Sequence, residues 1–365
     1  MTVTTSYPGV YLSEEASLNF SVTRADTMVP AFAYYQYYSL PPGGPNFCFY
    51  SWQDVVAAAG DGHFAFIWYT SLYTWFSLGG GKCYLINYDQ LEIAVKQFDD
   101  ITTIVSAGID SDNLDANHQS YVISAVNNII AQGIKIFALF DGPLDRIAAD
   151  DTTEAVMERF SSTPYAAVYY PWCSSSGKNK KIAPSVIAAV AIALTDRTRG
   201  VWKAPANVVI NGITPLYPVT DDLQGQFTQG KALNMIRTFP NVGTVVWGAR
   251  TLDDSDNWRY IPVRRLFNMV ERDIQKALNK LVFEPNSQPT WQRVKAAVNN
   301  YLHGLWKQGA LIGNKEEEAW FVEIGKDITM TEDDINQGKM IIKIGLAAVR
   351  PAEFIILLLS QDIAQ

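Results

Sequence analysis

The sequence predicts a mixed α/β and α+β protein of two domains, and three patterns in it lead to this prediction. Apolar strands alternate with helical segments through the first half of the chain, an order that is typical of an α/β layer structure. The second half instead has two long amphipathic helices followed by two strands. Both ends of the chain are extended apolar segments without a partner strand next to them in sequence.

Local patterns place the elements of the first half. Apolar runs bounded by glycine, proline or aspartate predict strands, and apolar residues that recur every three to four positions predict helices. This places strands over 28–38, 81–88, 134–140 and 166–170, and helices over 52–59, 91–98 and 118–132.

Two amphipathic helices dominate the prediction for the second half. The first follows a short strand over 258–261 and begins at Pro262, whose missing N–H costs nothing at a helix start. The second runs from near Thr290 to Gly309, a residue suited to closing a helix. Strands over 319–324 and 340–347 follow.

The two chain ends are predicted to be arms that pair with other molecules. The carboxyl-terminal segment is apolar on both alternating faces, as in a strand covered above and below, and such a segment would aggregate if it were left exposed. Flexible joints are expected beside the arms, over 13–17 and 349–351. The arm residues are Tyr7, Pro8, Gly9, Val10, Tyr11 and Leu12 at the amino end, and Phe354, Ile355, Ile356, Leu357, Leu358 and Leu359 at the carboxyl end.

Composition argues against several classes of function. The 365 residues carry a net charge of −8, so the chain lacks the cationic excess with which nucleic-acid-binding proteins neutralise phosphates. Cys48, Cys83 and Cys173 are odd in number and widely spaced, which suits a reducing compartment where each thiol is a small apolar group. No signal-peptide pattern opens the chain, and the apolar run 186–194 is about half the length of a membrane span. We therefore expect no nucleic acid, no cofactor and no direct membrane insertion.

One glycine-rich run resembles a fragment of a phosphate-binding loop. The run 79–82 reads GGGK, but Phe76 stands where the motif requires glycine and Cys83 where it requires Ser or Thr. A plain loop before a strand is the better interpretation.

The histidines and glutamates do not form a catalytic or metal-binding pattern. His63, His118 and His303 are far apart in sequence and none lies in a ligand motif, so we interpret them as solvated or hydrogen-bonded side chains. The three glutamates over 316–318 are interpreted as a charged helix start or loop rather than a pair of catalytic carboxylates. No catalytic residue and no metal site is predicted.

Several long motifs, in order along the chain, resemble the contractile tail sheath family. The resemblance is dense in the first fifteen residues and from about Tyr165 to the end, and it is weak over 31–160. The motifs are YPGVYLSEE near the start, TDRTRGVWKAPAN (195–207), VWGARTL (246–252), WRYIPVRRLFNMVE (258–271), VFEPN (282–286), YLHGLWKQGALIG (301–313) and VRPAEFIILLL (349–359).

The resemblance implies a structural subunit of a contractile sheath and not an enzyme. Subunits of this family stack in hexameric rings around an inner tube, together with baseplate and terminator proteins and, in some particles, paralogous sheath subunits. Shortening of the sheath drives the tube through a target envelope. The implied location is the bacterial cytoplasm during assembly, and afterwards a phage or phage-tail-like particle that is released from the cell.

The resemblance also implies a domain organisation. Residues 1–20 would form an amino-terminal arm, 21–250 an outer α/β domain, 251–350 an inner domain of sheet plus helices, and 351–365 a carboxyl-terminal arm. Each arm would complete a sheet in the inner domain of a neighbouring subunit.

A polar stripe on the second amphipathic helix has two interpretations. Arg293, His303 and Lys307 form either an ordinary exposed helix face or a contact with an acidic patch on the inner tube. Two alternatives to the sheath also stay open at this point. One is a soluble α/β enzyme whose terminal strands pair within its own fold, and the other is a self-assembling tube protein that does not contract.

Overall fold

A computed structural model describes residues 20–35, 46–60, 63, 66–109, 117–148, 150–175 and 178–353. The strands of this part, in chain order, are β1 Pro30–Tyr34, β2 Asn46–Phe49, β3 Cys83–Asn87, β4 Thr103–Val105, β5 Phe137–Asp141, β6 Ala166–Tyr170, β7 Cys173–Ser175, β8 Lys178–Ile182, β9 Val208–Val209, β10 Ile213–Pro215, β11 Leu233–Phe239, β12 Gly243–Trp247, β13 Trp320–Glu323 and β14 Lys343–Leu346.

The helices of the described part cover both halves of the chain. In chain order they are α1 Trp52–Ala59, α2 Ile67–Ser77, α3 Leu91–Gln97, α4 His118–Ala131, α5 Thr153–Val156, α6 Pro184–Arg199, α7 Asp221–Gln226, α8 Ile261–Leu278, α9 Gln288–Lys307, α10 Glu316–Ala319 and α11 Glu332–Asn336. None of them is long and apolar enough to span a bilayer.

A nine-stranded sheet in the order β2-β3-β1-β4-β5-β6-β11-β12-β9 is formed by strands that lie between Pro30 and Trp247. Its strands from β3 to β11 pair in parallel, and antiparallel strands lie at both edges. Apolar clusters cover both faces of this sheet, one containing α2 and α6 and the other containing α3 and α4. Because a parallel sheet must be covered on both faces, this arrangement confirms the predicted α/β class.

The chain divides into two compact units. The larger contains 25–272, 309–312 and the described residues from 347, and the smaller contains 20–24, 273–308 and 313–346. The division falls inside α8. The assignment of 21–250 and 251–350 to outer and inner domains of a sheath stays a prediction.

Helix α6 contains the apolar run over 186–194. It is buried around most of its circumference, between the nine-stranded sheet and α2. Its first turn is attached to Asp141, the last residue of β5, because the Ser185 N–H donates to Asp141 Oδ1 at 2.8 Å. The other carboxylate oxygen, Oδ2, accepts from Ser106 Oγ at 2.6 Å and from the Gly108 N–H at 2.8 Å. Burial raises the pKa of the Asp141 carboxyl, and these donors oppose that rise.

Several predicted elements are confirmed and two interpretations are wrong. The helix over 52–59 and the strand over 166–170 have the predicted bounds. The strand predicted over 258–261 is wrong, since only Tyr260 makes a β-bridge, to Arg250, and α8 already begins at Ile261. The cysteine interpretation holds for Cys83 and Cys173, whose thiol pKa values burial raises, but Cys48 is exposed on an edge strand.

The predicted arms and one of the predicted joints lie outside the described residues. This applies to the amino-terminal arm, to the carboxyl-terminal arm from Phe354 and to the joint over 13–17. The joint predicted over 349–351 is described, and its role as a hinge stays a prediction. The residues on either side of this joint are held in place. Ala348 forms a β-bridge with Leu311, and Glu353 forms a salt bridge with Arg250.

Candidate functional site

The smaller unit contains a long helix with an excess of positive charge. Helix α9 carries Arg293, Lys295 and Lys307 and no acidic residue, while its apolar face is buried. It packs against β13, where the Trp320 Nε1–H donates to Asn299 Oδ1 at 3.0 Å. One side of this cationic helix is therefore fixed inside the unit, and the other side is exposed.

The three residues of the predicted tube-facing stripe differ in how far they are exposed and in what they contact. His303 is tied into the unit, because its Nδ1 lies 2.8 Å from Glu316 Oε1 and its ring packs against Trp306 and Trp320. Arg293 Nη2 lies 3.7 Å from Glu284 Oε2, although 44% of its side chain is exposed. Lys307, at the end of the helix, is exposed. Arg293 and Lys307 share the exposed face of α9, and His303 lies at its margin.

A two-stranded antiparallel sheet of β13 and β14 forms the other part of the smaller unit. Phe321 lies across Gly345, where an added Cβ would come within 2.0 Å of its ring, and its side chain is still 45% exposed. Packing against α9 supports this two-stranded sheet on one face. The exposed face of this sheet also carries the ion pair between Lys343 and Glu323, whereas Trp320 and Val322 lie on its buried face. Its strand edges could accept further strands.

Two ion pairs join four of the motifs that carried the sequence resemblance. The first connects TDRTRG to PVRRLF inside the larger unit. Arg265 Nη2 lies 2.6 Å from Asp196 Oδ2 and Nη1 lies 2.8 Å from Oδ1, with each side chain only 5% exposed. Thr27 completes the pair, since its hydroxyl donates to the carboxylate and its carbonyl accepts from the guanidinium. This buried pair fixes α6 to α8.

The second ion pair connects VWGART to RPAE. Arg250 Nε lies 3.0 Å from both carboxylate oxygens of Glu353, and Nη2 lies 2.6 Å from Oε2. Such forked, charge-assisted contacts are the strongest that these side chains make. None of the four residues of these two pairs was predicted from the sequence to have a role. The available signal was that all four are charged residues inside motifs of the sheath resemblance.

A groove of about 450 Å³ lies next to the second pair in the larger unit. All of its lining residues but one belong to the same four motifs, so segments that are distant in sequence meet next to residues 351–353. The residues that define it are Ala204, Asn207, Trp247, Tyr260, Pro351 and Glu353.

The residues of the rejected chemical motifs have structural roles. Gly80 lies under the Trp75 ring, where an added Cβ would come within 2.3 Å of Cδ2, and Lys82 Nζ lies 2.6 Å from Asp100 Oδ2. His118 stacks on Tyr35. In the part of the chain that the structure describes, no group of three or more His, Cys, Asp or Glu side chains could hold a metal ion. The run 316–318 begins α10, which confirms its interpretation as a charged helix start.

Comparison with solved structures relates the whole chain to sheath proteins. A chain of the extracellular contractile injection system PVC, from its sheath complex in the contracted state, is 48% identical with a TM-score of 0.89, and the match covers 99% of both chains. A chain of the anti-feeding prophage baseplate in the contracted state is 58% identical with a TM-score of 0.88, covering 98% of this chain and 100% of that one. The sheath tail protein of Desulfitobacterium hafniense has the same fold at 10% identity, with a TM-score of 0.62 over 93% of this chain and 100% of that one.

Comparison with protein families agrees with this result. Residues 253–361 match the phage tail sheath C-terminal domain. No curated protein sequence matches the chain. Identity of 48% and 58% over nearly the full length of both partners exceeds what a shared fold alone would produce. The chain belongs to the contractile tail sheath family and is a sheath subunit.

Proposed function

We propose that this subunit polymerises helically around an inner tube and that shortening of the polymer drives the tube through a target envelope. The observation that carries this proposal is the match, over 99% of both chains, to a sheath complex in the contracted state. The subunit acts by changing its packing against other copies rather than by catalysis. Its partners are further copies in stacked hexameric rings, the tube protein, baseplate and terminator proteins, and paralogous sheath subunits where these occur.

Polymerisation of the purified protein tests this proposal. Electron microscopy should show tubes with a cogwheel cross-section, since sheath subunits polymerise when nothing restrains them. A soluble enzyme would stay a small particle at every concentration, and that outcome would contradict the proposal. A tube protein that does not contract would polymerise around inner tubes but keep its length after release from the baseplate.

The terminal arms would supply the contacts between copies. In this proposal the segments 7–12 and 354–359 add strands to the sheet of β13 and β14 in neighbouring subunits. The support is that this sheet has only two strands in the described part of the chain, so that its edges are available to further strands. Strand addition uses main-chain hydrogen bonds for affinity and alternate side chains for specificity.

The cationic face of α9 would contact the inner tube. Arg293, His303 and Lys307 are its proposed contact residues, and Lys307, at the exposed end of the helix, would present its charge most directly. The proposed partner is an acidic patch on the tube, because opposite charges guide association and fix register more than they add affinity.

During assembly the subunit would be in the bacterial cytoplasm, and later in a released particle.

Reversal of charge on this face should weaken assembly on tubes selectively. For the double variant Arg293→Glu and Lys307→Glu we expect co-sedimentation with purified tubes to require roughly tenfold more protein, and the loss to be greatest at low salt. Polymerisation without tubes should be unchanged. Lys280→Glu is the matched control, because Lys280 is an exposed cation of the same unit that lies outside α9. Equal binding of the double variant and the control would remove the tube-contact assignment.

A further inference from the structure

The residue that precedes the predicted carboxyl-terminal arm is held by a side chain that lies 103 positions earlier in the sequence. Glu353 is the last residue before the apolar segment 354–359, and its carboxylate is held by Arg250 Nε and Nη2. Tyr260 adds a hydrogen bond from its hydroxyl at 3.3 Å. The Arg250 side chain is only 10% exposed and that of Glu353 28% exposed, so solvent screens this pair less than it screens a surface pair.

Arg250 is itself anchored to the nine-stranded sheet. Its backbone N–H donates to Asn234 Oδ1 at 2.8 Å, and its carbonyl accepts from Asn234 Nδ2 at 2.8 Å. Asn234 belongs to β11 and is buried. The absence of a side chain at Gly248 allows Asn234 to lie this close to the backbone before Arg250, because a Cβ at position 248 would be 2.7 Å from Asn234 Oδ1. The guanidinium has a further acceptor in the Thr228 carbonyl. A continuous set of contacts therefore runs from β11 through Arg250 to Glu353.

The other end of the same short segment is also fixed. The Ile312 N–H donates to the Ala347 carbonyl at 2.7 Å, and the Val349 N–H donates to the Ala310 carbonyl at 3.2 Å. Residues 347–353 are thus held at both ends within the larger unit, one end by backbone pairing and the other by the ion pair. A hinge inside 349–351 would have to break one of these attachments.

We propose that Arg250 is a positioning residue that anchors the base of the carboxyl-terminal arm to the nine-stranded sheet. Residues 347–353 then move with the larger unit, and force on the arm reaches the sheet through the Arg250–Glu353 pair. The role in force transfer rests on the proposed function, whereas the anchoring itself is a property of the single subunit.

Hydrogen exchange on the unpolymerised full-length chain tests the anchor. Glu353→Gln keeps the shape of the side chain but removes its charge, and we expect the amides of Val349, Arg350, Ala352 and Glu353 to exchange about tenfold faster. Arg250→Lys keeps the charge but loses the planar fork, so it should give a smaller increase at the same amides. Exchange in β11 and the unfolding temperature should stay as in the unmodified chain for Glu353→Gln.

A matched control and a polymer measurement complete the test. Glu332→Gln removes an exposed ion-pair partner of Lys326 in the smaller unit and should leave exchange over 349–353 unchanged. In the polymer, Glu353→Gln should lower the urea concentration at which sheaths dissociate, and Glu332→Gln should not. Unchanged exchange in Glu353→Gln would overturn the anchor even if sheaths form normally. Failure of the unmodified chain to polymerise would contradict the proposed function and leave the exchange result to decide the anchor.

Discussion

A chain shortened to end at Glu353 is expected to fold and to remain unable to polymerise. The deleted segment contains six consecutive large apolar residues, 354–359, each of which contributes roughly 1.5 to 3 kcal/mol when it is buried. Ordering its backbone costs about 1 to 2 kcal/mol per residue, and each main-chain hydrogen bond returns about 1 kcal/mol. A net loss of only about 3 kcal/mol per contact would raise the protein concentration needed for polymerisation more than a hundredfold.

The control for this deletion lies in the chain itself. A variant that ends at Ser360 loses only the last five residues and keeps all six apolar ones, so it should polymerise like the full-length chain. Deletion of 1–12 should have a smaller effect than deletion of 354–365, because the amino-terminal arm has fewer large apolar residues. Sedimentation over a range of concentrations measures each threshold. Normal polymerisation of the chain that ends at Glu353 would refute a role for the carboxyl-terminal arm.

Removal of one partner of the buried pair between Asp196 and Arg265 should strongly destabilise the larger unit. Asp196→Ala leaves a guanidinium uncompensated at a site where each side chain is only 5% exposed. Breaking such a pair costs about 3 to 5 kcal/mol, because the remaining charge stays buried without a partner. Urea-induced unfolding, followed by the fluorescence of the tryptophans of the larger unit, measures this loss in the free energy of unfolding.

Two further variants separate the buried charge from a general effect of substitution. Asp256→Ala removes the exposed partner of Arg259 and should cost less than about 1 kcal/mol, since 84% of the Asp256 side chain is exposed. Replacing both members of the buried pair, as Asp196→Leu with Arg265→Met, should recover most of the stability lost by Asp196→Ala. A cost below about 1 kcal/mol for Asp196→Ala would show that water reaches the guanidinium once the carboxylate is removed.

Local patterns were sufficient where one helix face or one strand is buried in a regular way. The period of α8 and α9 predicted both helices to within a few residues, because an amphipathic stripe is a property of the segment itself. They were insufficient for α6, which is buried on most sides and therefore lacks the polar face that marks a helix. The same limit applies to α2, whose aromatic residues are enclosed within the larger unit.

Sequence patterns were enough to predict the α/β class, the amphipathic helices and the apolar terminal segments. Motifs that keep their order along the chain also predicted membership of the sheath family. Which charged residues of those motifs meet depends on the folded chain. Asp196 and Arg265 are 69 positions apart, and Arg250 and Glu353 are 103 positions apart. No local pattern specifies such pairs, because an ion pair depends on where two distant loops and helices end in space. Arg250 meets Glu353 because the nine-stranded sheet holds Arg250 next to it.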